Sequence, residues 1–321
     1  MKHPTDVVVR VVASAICESD VRYYRGLEGP AQRQPCGHEF IGVVADIGSE
    51  IVGVRRGDMV VAPLAFADGT CGDCARGRHD LCAAGGLFGV AGDGGQAEGV
   101  RVPFGDATLV KVPMGEHDER LPSVLALGDV MAAGWHAVSS TRVGPGSVVA
   151  VVSDDADGLC AVLAARCAGA ERIILVTTSG KRAAIGERFG ATDIVVPDGE
   201  AFRIRRPGGR AGADVVIDCG GDERALSTTL AACRDGGVVS LGASAHLGAG
   251  GISRIPDSGR GLTIVGGPAP ARAYLPGLLA NVVAGRLDPS PIFDHAVPLA
   301  LVSDGYEAMS TRAAVKVLVT T

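Results

Sequence analysis

A chain of 321 residues, 47% of them apolar, holds material for two packed cores rather than one. Its net charge of −6, with no basic stretch interleaved with aromatics, speaks against nucleic acid or a membrane surface as a partner. No apolar span reaches membrane length and no leader pattern precedes the first polar residues, so a cytoplasmic protein acting on a small molecule is expected.

Residues 1–125 carry short β-like runs, "DVVVRVVASAI", "FIGVVADIG" and "DMVVAPLAF", separated by Gly and Pro turns. That is the pattern of a small irregular β domain. From about residue 145 the pattern changes to strands alternating with helices. Strands are expected at Val148–Val152, Ile173–Thr177, Ala213–Cys219, Gly237–Gly242 and Leu262–Gly266, with helices near 158–169, 181–189 and 223–233. Alternation of this kind builds a parallel, doubly wound sheet. Two further helices, 271–285 and 303–310, and a strand "KVLV" close the chain. The basic "RIRRPGGR" (203–210) reads as a solvated loop.

Nine cysteines in a chain this long, without a secretion signal, do not read as a disulfide framework. Cys36, Cys160, Cys167 and Cys219 lie in core-like segments, and Cys233 ends a helix. The other four sit in polar turns. Three of them fall in "DGTCGDCARGRHDLC", which spells D-x2-C-x2-C-x7-C from Asp68 through Cys71 and Cys74 to Cys82. Short x2 spacings set successive thiolates around one tetrahedral ion, and the longer gap lets the chain return to the fourth corner. Three sulfurs and one carboxylate make a closed zinc shell, which is structural; His79 is the weaker candidate for the fourth ligand.

The stretch "VVAVVSDDADGLCAVLAARCAGAERIILV" outlines strand, turn, helix and strand, the unit that cradles a dinucleotide. A phosphate-binding turn reads G-x-G-x-x-G: one Gly for the tight turn, one for approach to the pyrophosphate, one for helix–strand packing. Those positions are Ser153, Asp155 and Gly158. Only the packing glycine is present, and Asp155 and Asp157 bring negative charge where a diphosphate would lie; the charge of Asp154 is less telling. The Asp155 carboxylate is expected to take the anion's place by capping the helix.

Taken with "AICESDVRYYRG", "CGHEFIGVVADIGSE", "LGDVMAAGWHAV", "GATDIV" and "IFDHAVPLALVSDGYEAM", these motifs make the chain resemble the zinc-dependent alcohol dehydrogenase family of the medium-chain dehydrogenase/reductase superfamily. The resemblance covers nearly the whole chain. It implies an α/β protein: a GroES-like β domain (1–125 and 268–321) with a Rossmann-type domain (126–267) inserted in it. It also implies a homodimer or homotetramer. By motif it assigns a catalytic zinc to Cys17, His38 and Asp129, an open site with one position for water or substrate. Two zinc ions per chain follow. Glu39 would approach the metal or orient its ligands, Asp20 would back the histidine, and Ser19 holds the proton-relay position.

Relatives place an acid near Thr177 for NAD or a base near Thr178 for NADP; this chain has neither, with Lys181 and Arg182 as partial substitutes. The residues beside the nicotinamide are Ala133 and Gly134, and Glu18 and Arg22 also depart from the family pattern. Departures thus gather along the cofactor's path while the metal residues stand. The expected function is a redox-neutral zinc enzyme performing elimination, addition, cyclisation or isomerisation on a small carbonyl or alcohol, with NAD(P) binding doubtful. The alternatives are an NAD(P)-dependent zinc alcohol dehydrogenase and a non-catalytic scaffold stabilised by zinc. Relatives also carry a pair of strands ahead of "HPTDVVVRV"; either the start is misassigned or the β domain lacks an edge, and a missing edge would leave backbone groups of this run unpaired.

Overall fold

The computed structural model describes residues 1–27, 35–196, 204, 211–242 and 259–321; apart from Ile204, the basic stretch 203–210 lies outside them. In chain order, the first part contains β1 (Val7–Ile16), α1 (Glu18–Tyr24), β2 (Phe40–Ile47), β3 (Met59–Val61), β4 (Ala65–Phe66) and α2 (Gly72–Ala75). It continues with β5 (Gly86–Leu87), β6 (Gly99–Val102), α3 (Gly105–Thr108), β7 (Val110–Lys111), α4 (Leu121–Ala126) and α5 (Val130–Ser139). The middle contains β8 (Val148–Val152), α6 (Ala156–Cys167), β9 (Arg172–Val176), α7 (Gly180–Phe189) and β10 (Asp193–Val195). After these come β11 (Ala213–Asp218), α8 (Glu223–Ala232), β12 (Cys233–Leu241) and β13 (Thr263–Gly266). The chain ends with α9 (Ala271–Val283), β14 (Phe293–Pro298), α10 (Val302–Ser310) and β15 (Lys316–Thr320). No helix among the described residues is long and apolar enough to cross a membrane.

The chain divides into two units, Met1–Ala132 with Pro270–Thr321, and Ala133–Ala269. The first junction falls after Ala132, so Asp129 belongs to the first unit. That unit holds a seven-stranded sheet in the order β14-β15-β1-β2-β3-β7, with β6 also on β1. Along β1, Val7, Val9 and Val11 are buried while Arg10 faces out, the period-two pattern of a half-buried strand. Its second half is buried on both faces, where β15 runs beside Ala13–Ile16. This run is not left with unpaired backbone groups. Val7–Arg10 pair with β2 on one side and β6 on the other, so the backbone groups are spoken for. Beneath the sheet Phe40, Phe88 and Phe66 stack edge to face at 5.0 and 5.4 Å.

The second unit is a six-stranded sheet, order β10-β9-β8-β11-β12-β13, with every pairing parallel. Numbered from β8, that order is 3-2-1-4-5-6, the Rossmann arrangement. All five residues of β8 are buried, as a strand covered on both faces requires. The strand order reverses at β8, so the turn after β8 stands where such sheets take ligands.

Cys233 caps the C-terminus of α8, as expected, and also opens β12, where it pairs with Ala213 and the adjacent Arg234 reaches Asp214 at 2.7 Å. Those tertiary contacts lengthen the strand past its local propensity. Two readings of the cysteines need correction: Cys36 and Cys167 are exposed, whereas Cys160 and Cys219 are buried. Position in an apolar run does not decide which face a residue takes.

Candidate metal centres and the nucleotide turn

Two groups of donors are brought together, both in the first unit. In one, Asp68, Cys71, Cys74 and Cys82 set one ligand atom each within 4.8 Å of the others. The turn is shaped by Asp68, whose Oδ1 accepts from the backbone N–H of Thr70 at 2.9 Å and of Cys71 at 3.1 Å. Those two donors hold its carboxyl well below the usual range. Burial pushes the Cys74 thiol up to about 12, while backbone donors beside it lower Cys71. His79 is not in the group; its Nδ1 faces the Gly77 carbonyl at 3.3 Å. Three sulfurs and one carboxylate oxygen on a self-supported turn fit a tetrahedral zinc ion.

The second group is Cys17, His38, Glu39 and Asp129, again with donor atoms within 4.8 Å of one another. Strand pairing explains how residues so distant in sequence meet. Ser14 pairs with Phe40, which puts the end of β1 beside the start of β2, and Ala15 N–H donates to Glu39 O at 3.2 Å. Cys17 leaves β1 as the residue preceding α1, and Asp20 in that helix accepts its N–H at 3.0 Å. Asp129 is delivered by the segment before α5, where Leu64 N–H donates to Gly128 O at 2.9 Å. A Cβ on Gly128 would come 2.5 Å from Ala62 O, so only glycine lets this segment lie so close.

Cys17 Sγ lies 3.4 Å, and His38 Nε2 3.0 Å, from Asp129 Oδ2. Ligands about 2.0–2.3 Å from a tetrahedral ion stand roughly 3.5 Å apart, so this spacing matches zinc. Burial pushes the Cys17 thiol up to about 11, so a thiolate here needs a cation beside it. Burial works against a charged His38 ring, and Asp20 and Asp129 outweigh it and draw positive charge to it. The carboxylate of Glu39 is wholly buried, and its Oε2 has no hydrogen-bond partner among the described residues. An orphaned buried oxygen beside three convergent donors fits a cation site.

One residue escaped the sequence reading. Lys316 opens β15, is buried, and places Nζ 2.6 Å from Glu39 Oε1. It also donates to Ile16 O at 3.4 Å. Burial opposes its charge, and Glu39, Cys17 and Asp129 more than offset that, so the amine stays protonated. The signal was a lone lysine heading the apolar run "KVLV". Ser19 and Glu18 sit in the first turn of α1, half-buried, with Glu18 Oε1 3.9 Å from Arg25.

In the second unit the turn after β8 is closed upon itself. Ser153 Oγ accepts from Asp155 N–H at 3.2 Å, and Thr177 O–H donates to Asp154 Oδ2 at 2.5 Å. Arg182, only 4% exposed, donates from Nε to Asp154 O at 3.1 Å. It also stands 3.7 Å from the Asp154 carboxylate and 3.9 Å from that of Asp155. Arg182 is thus turned inward, which corrects its expected service to a 2′-phosphate. A second correction concerns Asp155: it directly precedes α6 with extended backbone, yet its carboxylate makes no cap hydrogen bond and faces Arg182 instead. Gly158 is the packing glycine, since a Cβ there would meet Ser153 O at 2.4 Å. Thr177 is buried and Thr178 exposed. Two of the three glycine positions carry side chains, Ser153 and Asp155, and the nearby guanidinium faces carboxylates.

A β domain with two zinc-type donor groups, followed by a Rossmann sheet, defines a zinc-dehydrogenase class of protein. Family models agree: "Alcohol dehydrogenase GroES-like domain" matches residues 3–114 and "Zinc-binding dehydrogenase" matches 158–267. A probable zinc-binding alcohol dehydrogenase of Mycobacterium tuberculosis is 32% identical over 96% of this chain and 80% of its own. Among solved structures, alcohol dehydrogenase TADH from Thermus sp. ATN1 superposes with TM-score 0.87 at 30% identity, covering 100% of this chain and 93% of that one. A putative zinc-binding dehydrogenase from Sinorhizobium meliloti, bound to NADP, gives TM-score 0.85 at 28% identity, with coverage of 100% and 93%. The chain belongs to the zinc-binding alcohol dehydrogenase family, and it is an enzyme of that superfamily.

Proposed function

We propose that this family member works without nicotinamide, as a redox-neutral zinc enzyme acting on a small carbonyl or alcohol by elimination, addition, cyclisation or isomerisation. The observation that carries the reading is the closed turn, in which Thr177 and Arg182 bind Asp154 and Asp155 where a pyrophosphate would otherwise be received. Cys17, His38 and Asp129 would hold the catalytic ion, and Asp68, Cys71, Cys74 and Cys82 a structural one, two per chain. Bound zinc supplies Lewis acidity, polarising a carbonyl or lowering the pKa of a coordinated water or alcohol toward about 7.

The chain's own groups supply the rest. Lys316 offsets the charge of Glu39 and anchors Oε1, leaving Oε2 as an acceptor beside the donor group. Ser19, two residues from Cys17 and half-buried, is the group to pass a proton outward, with Glu18 beside it. No hydride acceptor is required for any of these roles. The protein's partner in this reading is a small molecule.

The printed names of the relatives favour a second reading, an NAD(P)-dependent zinc alcohol dehydrogenase; one is itself bound to NADP. Titration of NADH and NADPH by nicotinamide fluorescence separates the two. The redox-neutral reading expects no saturation at micromolar cofactor; saturation there, with steady oxidation of a simple alcohol, ends it.

A further inference from the structure

The orientation of His38 is set from outside the donor group. Its Nδ1 faces Asp20 Oδ1 at 3.5 Å, on the opposite side of the ring from the 3.0 Å contact to Asp129. A ring proton directed to Asp20 leaves the lone pair at Nε2, where a cation needs it. Asp20 is in turn pinned through its other oxygen. Oδ2 accepts from Cys17 N–H at 3.0 Å and from Gln96 Nε2 at 3.4 Å.

Gln96 is held at every polar atom of its amide. Nε2 also donates to Ala15 O at 3.1 Å, and Oε1 accepts from the Tyr306 hydroxyl at 2.8 Å. Tyr306 comes from α10, is 8% exposed, and stacks on Tyr24 with ring centroids 5.2 Å apart. The backbone of Gln96 is fixed to the histidine's own segment: Gln96 N–H donates to Cys36 O at 3.1 Å, and Gly95 N–H to Gly37 O at 2.8 Å. A Cβ on Gly94 would lie 2.0 Å from Cys36 O, and one on Gly37 2.6 Å from Gln96 Cγ. Gly94 and Gly37 therefore let these two segments lie against each other.

We propose that Gln96, clamped by Tyr306, is a positioning residue that fixes the Asp20 carboxylate and through it the His38 ring, and so sets how tightly the Cys17–His38–Asp129 group holds a divalent cation. The inference rests on the metal reading of that group. Its sequence signature is a glutamine after two glycines and a tyrosine 210 residues later, which no local pattern connects.

The test uses the full chain, with zinc affinity measured by chelator competition and the visible spectrum of the cobalt(II)-substituted protein as an independent readout. The Asp68 cluster serves as an internal reference. Gln96→Leu should weaken zinc at the Cys17 site by about 10–100-fold and shift the cobalt bands, with the Asp68 cluster unchanged. Tyr306→Phe keeps the ring and its packing and should lose roughly tenfold or less, by loosening Gln96. Gln96→Glu keeps the shape and the acceptor for Tyr306 but turns an oxygen toward Asp20. It should match the leucine variant, whereas a mere space-filler would leave it near wild type. Variants all within about twofold of wild type, with unchanged cobalt spectra, overturn the proposal while leaving the metal reading intact. If Cys17→Ser removes no metal from the otherwise wild-type protein, the metal reading fails and takes this proposal with it.

Discussion

Replacing Asp155 by glycine should make the turn after β8 accept a diphosphate. The Asp155 carboxylate stands 3.9 Å from the Arg182 guanidinium, with its side chain 31% exposed. At about that spacing and an effective dielectric near 20, two unit charges interact by about 4 kcal/mol. Halving this for solvent screening at a part-exposed group leaves about 2 kcal/mol. An incoming pyrophosphate has the same sign as Asp155 and competes with it for Arg182, so removing the carboxylate is worth roughly thirtyfold in Kd. The local fold should tolerate the change, because the Asp155 side chain caps nothing and glycine in a cap position costs only a few tenths of a kcal/mol. Backbone N–H groups at the start of α6 would then be available to an anion. Wild type and Asp155→Gly would be titrated with NADH and NADPH, by fluorescence and calorimetry, at low and high salt. Tighter binding by the variant, with a gain that shrinks as salt rises, is expected. Micromolar binding by wild type, or equal affinity in both proteins, would refute the electrostatic reasoning.

Metal analysis of the full chain should find about two zinc ions; Cys17→Ser should lower this to about one without a large fall in Tm, and Cys74→Ser should cost both an ion and stability. Loss of both ions from either single variant would contradict the assignment of separate sites. Lys316→Met strands a buried Glu39 carboxylate and should cost about 3–5 kcal/mol in urea unfolding. The double variant with Glu39→Leu should recover most of that, and a near-neutral single variant would show that the pair is not ionic. Asp6 is 1% exposed and accepts from Lys2 N–H at 2.7 Å, from His3 N–H at 2.8 Å and from Arg101 at 3.1 Å. Burial works to raise its pKa, and these donors outweigh it, so the folded value lies below the usual one. Its stabilisation is therefore complete above the unfolded value near 3.9 and fades as pH falls through the lower folded value. Asp6→Asn should cost about 1–3 kcal/mol at pH 7 and progressively less below about pH 4; a cost that stays constant to pH 2 would show that the charge is irrelevant.

Much of this protein is local information, and local information is legible. Cys71, Cys74 and Cys82 announce a metal by their spacing, because three donors within a dozen residues can meet without help from the rest of the chain. Strand–helix alternation after Val148 gives a parallel sheet because both periods are written in the order of apolar residues. The charge of S-D-D-A-D-G is equally plain.

What that charge does was decided elsewhere. Arg182 turns inward because α7 follows β9 beside β8, which brings it 28 residues back onto Asp154, a contact set by sheet order rather than by composition. Lys316 finds Glu39 across 277 residues, because β15 lies next to β1 and β1 next to β2. Likewise the run "DVVVRV" is interior because β2 pairs it on one side and β6, some ninety residues later, pairs Val7–Arg10 on the other. Sequence by itself therefore determined which chemical groups this protein owns and which short segments they sit on. Tertiary structure alone decided which charges face one another, because a hydrogen bond acts over about 3 Å of space and takes no account of distance along the chain.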